Sequence, residues 1–188
     1  MKRTPEHRLT TERLELLPVT ALDLPALQAL YADPDVRRRV FDDVQVDDLE
    51  TDNTIRQSLR TFRANSYGLW RVSARGDATL AGCCGLREVG LEAELIVAIE
   101  PALRRRGCAR EAALAVLTHA LRQLRLPRVV AMCDVDDDAG RALCRSLGMR
   151  EQHVTRASGL HRTVDVLMYD VTLADLPTQT APVVRKEA

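Results

Sequence analysis

The sequence predicts an α/β domain, a mixed and mostly antiparallel sheet of about six to seven strands packed with about four helices. Three observations carry that expectation. Alternating apolar and polar residues with turn signals between them place consecutive strands at 69–73, 79–87 and 92–99. Helical spacing follows along Ala113, Leu114, Leu117, Ala120, Leu121 and Leu124. The continuous apolar run Val129 to Cys133 then reads as a strand buried on both faces, paired in parallel with an interior neighbour.

The remaining elements fall in order around this centre. Leu14, Leu16 and Val19 mark a short first strand ending at Pro18, and Leu24, Leu27, Leu30 and Tyr31 a helix that Asp33-Pro34 stops. A second helix starts at the acidic cluster around Asp47 and Asp48, with Leu49, Ile55, Leu59 and Phe62 along one face, and closes over Asn65 to Gly68. Arg75-Gly76-Asp77 and Gly90 turn the meander, and Pro101 ends it. The helix after Gly107 reads as the longest in the chain. Asp136 to Asp138 cap a short helix with Ala139, Leu143 and Leu147 inward and Gly148 as its stop. Strands at 151–155 and 164–171 finish the sheet.

Length and composition fit one core. The chain has 188 residues, 46% hydrophobic and 29% charged, which is enough apolar material to offset chain entropy. Residues 10–173 form the expected domain, after an extension over 1–9 and before a poorly ordered tail over 174–188 that holds Pro177 and Pro182. Only six residues are aromatic, so Leu, Val and Ala fill the core, and Trp70 and Tyr67 read as core residues.

Charge excludes several partners. Twenty-seven basic and 27 acidic side chains cancel, so the field that concentrates proteins on nucleic acid or anionic membranes is missing. No apolar run approaches a membrane span. The cysteines, Cys83, Cys84, Cys108, Cys133 and Cys144, are odd in number and lack a C-x-x-C pair, while His7, His119, His153 and His161 are scattered. No metal site, reduced thiols and a cytoplasmic setting are expected, with the chain a monomer or homodimer. Cys133 and Cys144 have no histidine beside them, so a buried apolar role is the simpler reading.

The most informative segment joins the third meander strand to the following helix: Ile99-Glu100-Pro101-Ala102-Leu103-Arg104-Arg105-Arg106-Gly107-Cys108-Ala109. It sets unpaired N–H groups at a helix N-terminus, where the helix dipole favours an anion and small Gly107 and Ala109 allow close approach. Three arginines add donors. On spacing alone the segment is equally a solvated basic turn. Neither a Walker A motif nor G-x-G-x-x-G is present.

The order of elements and this turn together resemble the GNAT acetyltransferase superfamily, in particular its RimJ/RimL-like branch, over roughly residues 10 to 173. Thr11-Glu12-Arg13-Leu14-Glu15-Leu16-Leu17-Pro18 resembles that branch's T-x-R-L-x-L-x-P, and Ala32-Asp33-Pro34-Asp35-Val36 its S/A-D-P-x-V. Leu80-Ala81-Gly82-Cys83-Cys84-Gly85-Leu86 is similar to I-G-x-x-G-L, and Leu147-Gly148-Met149 to L-G-F.

The resemblance implies a GNAT fold with a splayed sheet and acetyl-CoA as co-substrate. Pantetheine would pair with backbone at Val97, Ala98 and Ile99, and the pyrophosphate would lie on Arg104, Arg105, Arg106, Gly107, Cys108 and Ala109. An N–H at Val97 or Ala98 would stabilise the oxyanion formed as an amine attacks. Glu94, on the strand that would present the thioester, is the first candidate for the base, equally readable as an ordinary strand acid; Glu151 is the second, more simply read as a surface acid at a strand edge. The family's N-x-x-S after the buried strand falls on Asp137 and Gly140, so Asp137 retains an acceptor for the cofactor arm while Gly140 has no hydroxyl to protonate the leaving thiolate.

The implied acceptor is a primary amine, a protein N-terminus or a small molecule. Its side of the cleft is expected from the two N-terminal helices and the last hairpin. Asp42, Asp43, Asp47, Asp48, Glu50 and Asp52 could attract a cationic acceptor there, although helix-dipole compensation explains them as simply. A non-catalytic acyl-CoA-binding module is the alternative that Gly140 keeps open.

Overall fold

A computed structural model describes residues 7–41, 43–158 and 163–177. Short strands β1 (Leu9–Thr10) and β2 (Leu14–Pro18) come first, then α1 (Leu24–Ala32), α2 (Pro34–Val40) and α3 (Asp48–Asn65). The meander is β3 (Leu69–Ala74), β4 (Gly82–Val89) and β5 (Glu92–Ile99). Helix α4 (Cys108–Thr118), β6 (Val129–Asp134), α5 (Asp138–Ser146), β7 (Arg150–Ser158) and β8 (Thr163–Val171) complete the order. The strands form one sheet, β1-β2-β3-β4-β5-β6-β8-β7, antiparallel except between β5 and β6.

Alternation along each strand builds a core on each face. Ala93, Leu95, Cys84, Leu86, Val129, Ala131, Leu167 and Tyr169 pack against α4 and α5. Cys83 and Ala98 point the other way, onto Leu27, Leu30 and Tyr31 of α1, Val36 of α2 and Ile55 of α3. Few aromatics suffice: Trp70 is fully buried, meets Phe62 edge-on with ring centroids 4.7 Å apart, and donates its indole N–H to the His7 carbonyl at 2.6 Å.

Five readings change. Pro34 does not merely stop α1; at the first position of α2 its missing N–H costs nothing, and Asp33 caps that helix by accepting from the N–H groups of Asp35 and Val36. The described residues therefore hold five α-helices and eight strands, one helix and at least one strand more than expected. Leu49 is exposed, because six residues from Ile55 at 3.6 per turn lie about 120° off its stripe. The 18-residue α3 is longer than α4, whose last turn widens into a π-helical segment at His119–Gln123. In α5 the buried positions are Cys144 and neighbouring Leu147, not Ala139. Finally, Leu9 is buried and pairs with Leu16, and Thr172 and Asp175 form a capping box beyond β8, so order extends past 10–173 at both ends; residues 178–188 lie outside the described residues.

Candidate active site

β5 and β6 run parallel yet register at a single pair, Glu94 with Val130. Beyond it they diverge. Ile96 and Val97 on one arm, and Met132, Cys133 and Asp134 on the other, are only half-buried where the strands part. Which backbone groups face this gap follows from the opposite edge of β5. Its register with β4 is unbroken from Gly82↔Ile99 to Val89↔Glu92, and the Glu100 N–H donates to the Ala81 carbonyl at 3.0 Å. Successive residues of an antiparallel ladder turn their N–H and C=O to opposite sides. Ile96 and Ala98 therefore bond across to β4, while Val97 and Ile99 turn theirs toward the departed β6. Arg104 Nε takes the Ile99 carbonyl at 3.1 Å. The Val97 N–H and C=O are left lining the gap.

The arginine turn closes one end. After a single 3₁₀ turn at Pro101–Leu103, Arg105 and Gly107 adopt left-handed backbone, with φ of 58° and 78°, and α4 begins at Cys108. The Glu111 N–H makes the first bond to the Gly107 carbonyl, at 3.0 Å. The N–H groups of Cys108, Ala109 and Arg110 thus remain unpaired within the helix. Arg105, Arg106 and Gly107 are exposed, and among the described residues no ion pair holds either arginine. Arg104 is different: its guanidinium meets Asp35 at 2.9 Å and Asp33 at 3.4 Å, tying the turn to α2.

A clamp that the sequence does not announce fixes this turn. Glu111, in the first turn of α4, accepts from the Thr11 hydroxyl at 2.5 Å and from the Arg13 backbone N–H at 2.9 Å and Nε at 2.6 Å. Arg13 also donates to the Arg106 carbonyl at 2.8 Å. The T-x-R-L opening is thus a bracket on the arginine turn. Burial of Glu111 works to raise its pKa, but the bonds from Thr11 and Arg13 outweigh it and hold the carboxyl below its ordinary value of 4.5. A lowered folded pKa gives stability that is full above the unfolded value and is lost as pH falls through the folded one. Glu111→Gln is expected to unfold about 1–2 kcal/mol more easily at pH 7, a modest figure because Arg13 is half-exposed. The gap to the parent chain should shrink below about pH 4.5 in urea titrations; a gap independent of pH would contradict the ionic account.

The two candidate bases are far apart in the sheet. Glu94 is 4% exposed on the α1–α3 face, beside the last β5–β6 pair, and receives Arg87 Nε at 2.6 Å. Glu151 stands on outermost β7, with β8 between it and β6; it accepts from the Tyr169 hydroxyl at 2.8 Å and faces Arg141 at 3.9 Å. The structure does not bring Glu151 to the gap.

Asp137 is engaged as well. Arg39 of α2 bonds its Oδ1, joining α2 to the start of α5, and its Oδ2 lies 2.5 Å from where a Cβ on Gly140 would stand. A residue larger than glycine at position 140 would displace that carboxylate. Nearby, Cys133 and Cys144 share a thiol hydrogen bond, which pulls Cys133 down and, with burial, pushes Cys144 up. Both are free thiols. Of the acidic cluster, Asp43 pairs with Arg37, Asp52 with Arg56, and Asp47 with Glu50 in a capping box; Asp42 lies outside the described residues. Among the described residues no group of His, Cys, Asp and Glu is placed to hold a metal, and no helix is long and apolar enough to cross a membrane.

A parallel pair of strands that opens beside an arginine-rich turn fits the splayed sheet the sequence resemblance implied, and a family model for the acetyltransferase (GNAT) domain matches residues 13–150. The chain belongs to the GNAT acetyltransferase family. Its fold recurs in solved structures. An acetyltransferase from Agrobacterium tumefaciens str. C58 is 24% identical, with 87% of this chain and 93% of that one covered at a TM-score of 0.74. An enzyme from Salmonella typhimurium that modifies the N-terminal serine of ribosomal protein L7/L12 is 19% identical, covering 87% and 96% at 0.72. RimL, an L7/L12 α-N-protein acetyltransferase in complex with coenzyme A disulfide-bonded to one of its cysteines, is 17% identical, covering 87% and 96% at 0.74. At such identities the likeness is one of fold. Family membership supports acetyl transfer as the chemistry and acetyl-CoA as the donor.

Proposed function

We propose that this chain is an N-acetyltransferase that moves an acetyl group from acetyl-CoA to a primary amine by direct attack in a ternary complex. The observation that carries the reading is the Val97 N–H, left without a strand partner where β5 and β6 part. The residues present fit the donor. Val97 offers an N–H and a C=O to an extended amide chain. The unpaired N–H groups after Gly107, with Arg105 and Arg106, suit a pyrophosphate. Bound there, acetyl-CoA supplies a thioester carbonyl, and Val97 donates to its oxygen as charge develops. Glu94, on the opposite face from α4, accepts the proton of the incoming amine, directly or through water. The amine nitrogen bonds to the carbonyl carbon, the C–S bond breaks, and the thiolate takes a proton from water or from the newly bonded, positively charged nitrogen, since Gly140 has no hydroxyl to supply it.

The RimL-type neighbours act on a protein N-terminus, which favours a peptide amine as acceptor. A second reading, an acyl-CoA-binding module without turnover, is favoured by Gly140 and by the Asp137 carboxylate folded over it. Thermal unfolding and coenzyme A release separate the two. Acetyl-CoA at about 100 times its Kd should stabilise the fold by about 2.7 kcal/mol, a Tm rise of about 5–10 °C for a domain this size. Release of coenzyme A on a panel of peptide and small amines should follow. Stabilisation without release on any amine supports the module; no stabilisation contradicts both.

A further inference from the structure

A cavity of about 140 Å³ lies on the α1–α3 face of the sheet, between α2, α3 and strands β3 to β5. It adjoins the proposed chemistry directly. Ile96, two residues from Glu94 on the same face of β5, forms part of its wall, and Arg87, which holds the Glu94 carboxylate, stands at its rim. The inner surface is apolar: Tyr31 and Phe41, packed edge-on at 4.7 Å, with Val40, Leu69, Cys83 and Ile96.

The hydroxyls of the wall are already engaged, and the other polar side chains that line the cavity, Gln57, Arg87 and Glu88, are exposed. The Thr54 hydroxyl donates to the Glu50 carbonyl at 3.0 Å and Thr61 to Gln57 at 3.1 Å, each within its own helix. Ser58 Oγ receives the Leu69 N–H at 2.7 Å, and the Tyr31 hydroxyl meets Cys83 Sγ at 3.8 Å. Burial pushes the Cys83 thiol up to about 12, so it is a neutral wall atom. A hydroxyl entering the apolar interior would exchange water for at most the spare lone pairs of hydroxyls already bonded, whereas an apolar group gives up no hydrogen bond. The size is set as well. A dry cavity of about 150 Å³ is filled by one benzene ring.

Resting on the acetyltransferase reading above, we infer that the acceptor is an amine bearing one compact apolar group, a branched aliphatic chain or a single six-membered ring. That group fills this cavity, and the nitrogen lies at its Glu94 end. For a peptide acceptor, Leu or Phe at the N-terminus fits. Ser lacks the apolar body, and an indole exceeds the volume.

Peptides that differ only in their first residue, Ser, Leu, Phe or Trp, test this by coenzyme A release. Leu and Phe should exceed Ser by at least about tenfold in kcat/KM, the discrimination an apolar pocket gives for one to two buried carbons, with Trp below both. Thr54→Phe, which fills the cavity from α3, should lower kcat/KM for the Leu and Phe peptides at least about tenfold and so remove that preference, with the Tm rise with acetyl-CoA retained. Ser turned over as well as Leu and Phe would overturn the inference and leave the acetyltransferase reading standing. Calorimetry with benzylamine and ethanolamine, in the presence of coenzyme A, reads the pocket without turnover. Benzylamine should bind at least tenfold tighter, and lose that advantage in Thr54→Phe; equal affinity overturns the inference even if no peptide reacts.

Discussion

Glu94→Gln is expected to lower kcat by about 10²–10⁴-fold with little change in the affinity for acetyl-CoA. The substitution keeps the shape and an acceptor oxygen but removes the group that takes up a proton. Its structural cost is small, because the partner, Arg87, is 52% exposed and can return to water. Glu151→Gln is the control. It lies two strands from the gap, holding the Tyr169 hydroxyl, so it should lower Tm slightly and leave kcat within about twofold. The pair of variants separates the two acids that the sequence left side by side. Equal losses of kcat would mean that the proton leaves by a route that neither the face of β5 nor its ion pair defines. Retained activity in Glu94→Gln would place the base elsewhere, or leave amine deprotonation to bulk water.

How far the residues themselves foretold this arrangement depends on the range over which each interaction acts. The alternation of Ala93, Leu95 and Val97 with Glu94, Ile96 and Ala98 is local, and β5 presents those two faces to the two cores. The turn before the helix at Gly107 was equally legible, and the structure gives it the left-handed backbone that glycine adopts without strain. Helix α2 was missed because Asp-Pro signals both the end of one helix and the start of the next, and only the geometry around Asp33 decides between them. The long-range partners had no local signature. Thr11 and Arg13 reach Glu111 across about a hundred positions, and Arg39 reaches Asp137 across 98. Apart from Thr11, each is an acid or a base among many in a chain with 27 of either sign. The motif T-x-R-L marked the first pair without saying what it grips. The apolar cavity was invisible for a related reason: its walls come from six separate segments, and its threonines and serine read as polar until their hydrogen bonds are placed.

These contacts also change what the arginine run does. Arg104 was expected among the phosphate ligands, yet its guanidinium joins the Ile99 carbonyl, Asp33 and Asp35. It holds β5, the turn and α2 at fixed spacing, so Arg104→Ala should lower stability and cofactor affinity together. On the proposed reading, Arg105 and Arg106 are the arginines left to meet the anion. Exposed and unpaired among the described residues, they would contribute charge more than geometry, and their effect should weaken with salt.

Gly107→Val should abolish the Tm rise that acetyl-CoA produces, and it should do so through the backbone. At φ 78° a β-branched residue is strained, so the turn must change its path. A Cβ there would also stand 3.2 Å from an Arg13 nitrogen, close enough to disturb the bond from Arg13 to the Arg106 carbonyl and the bracket on Glu111. The same added atoms would face any anion approaching the N–H groups of Cys108, Ala109 and Arg110. Gly107→Ala grades the effect, imposing the unfavourable φ with a single methyl. A loss of at least about 100-fold in affinity for Val, an intermediate loss for Ala, and a far-ultraviolet spectrum unchanged in both would locate the pyrophosphate at this turn; that loss is about 2.7 kcal/mol of binding. The position is exposed, at the start of α4 and outside both cores, so the domain is expected to stay folded in either variant. Unaltered affinity in the valine variant would move the phosphate site away from Gly107 and leave the gap at Val97 without its anchoring end.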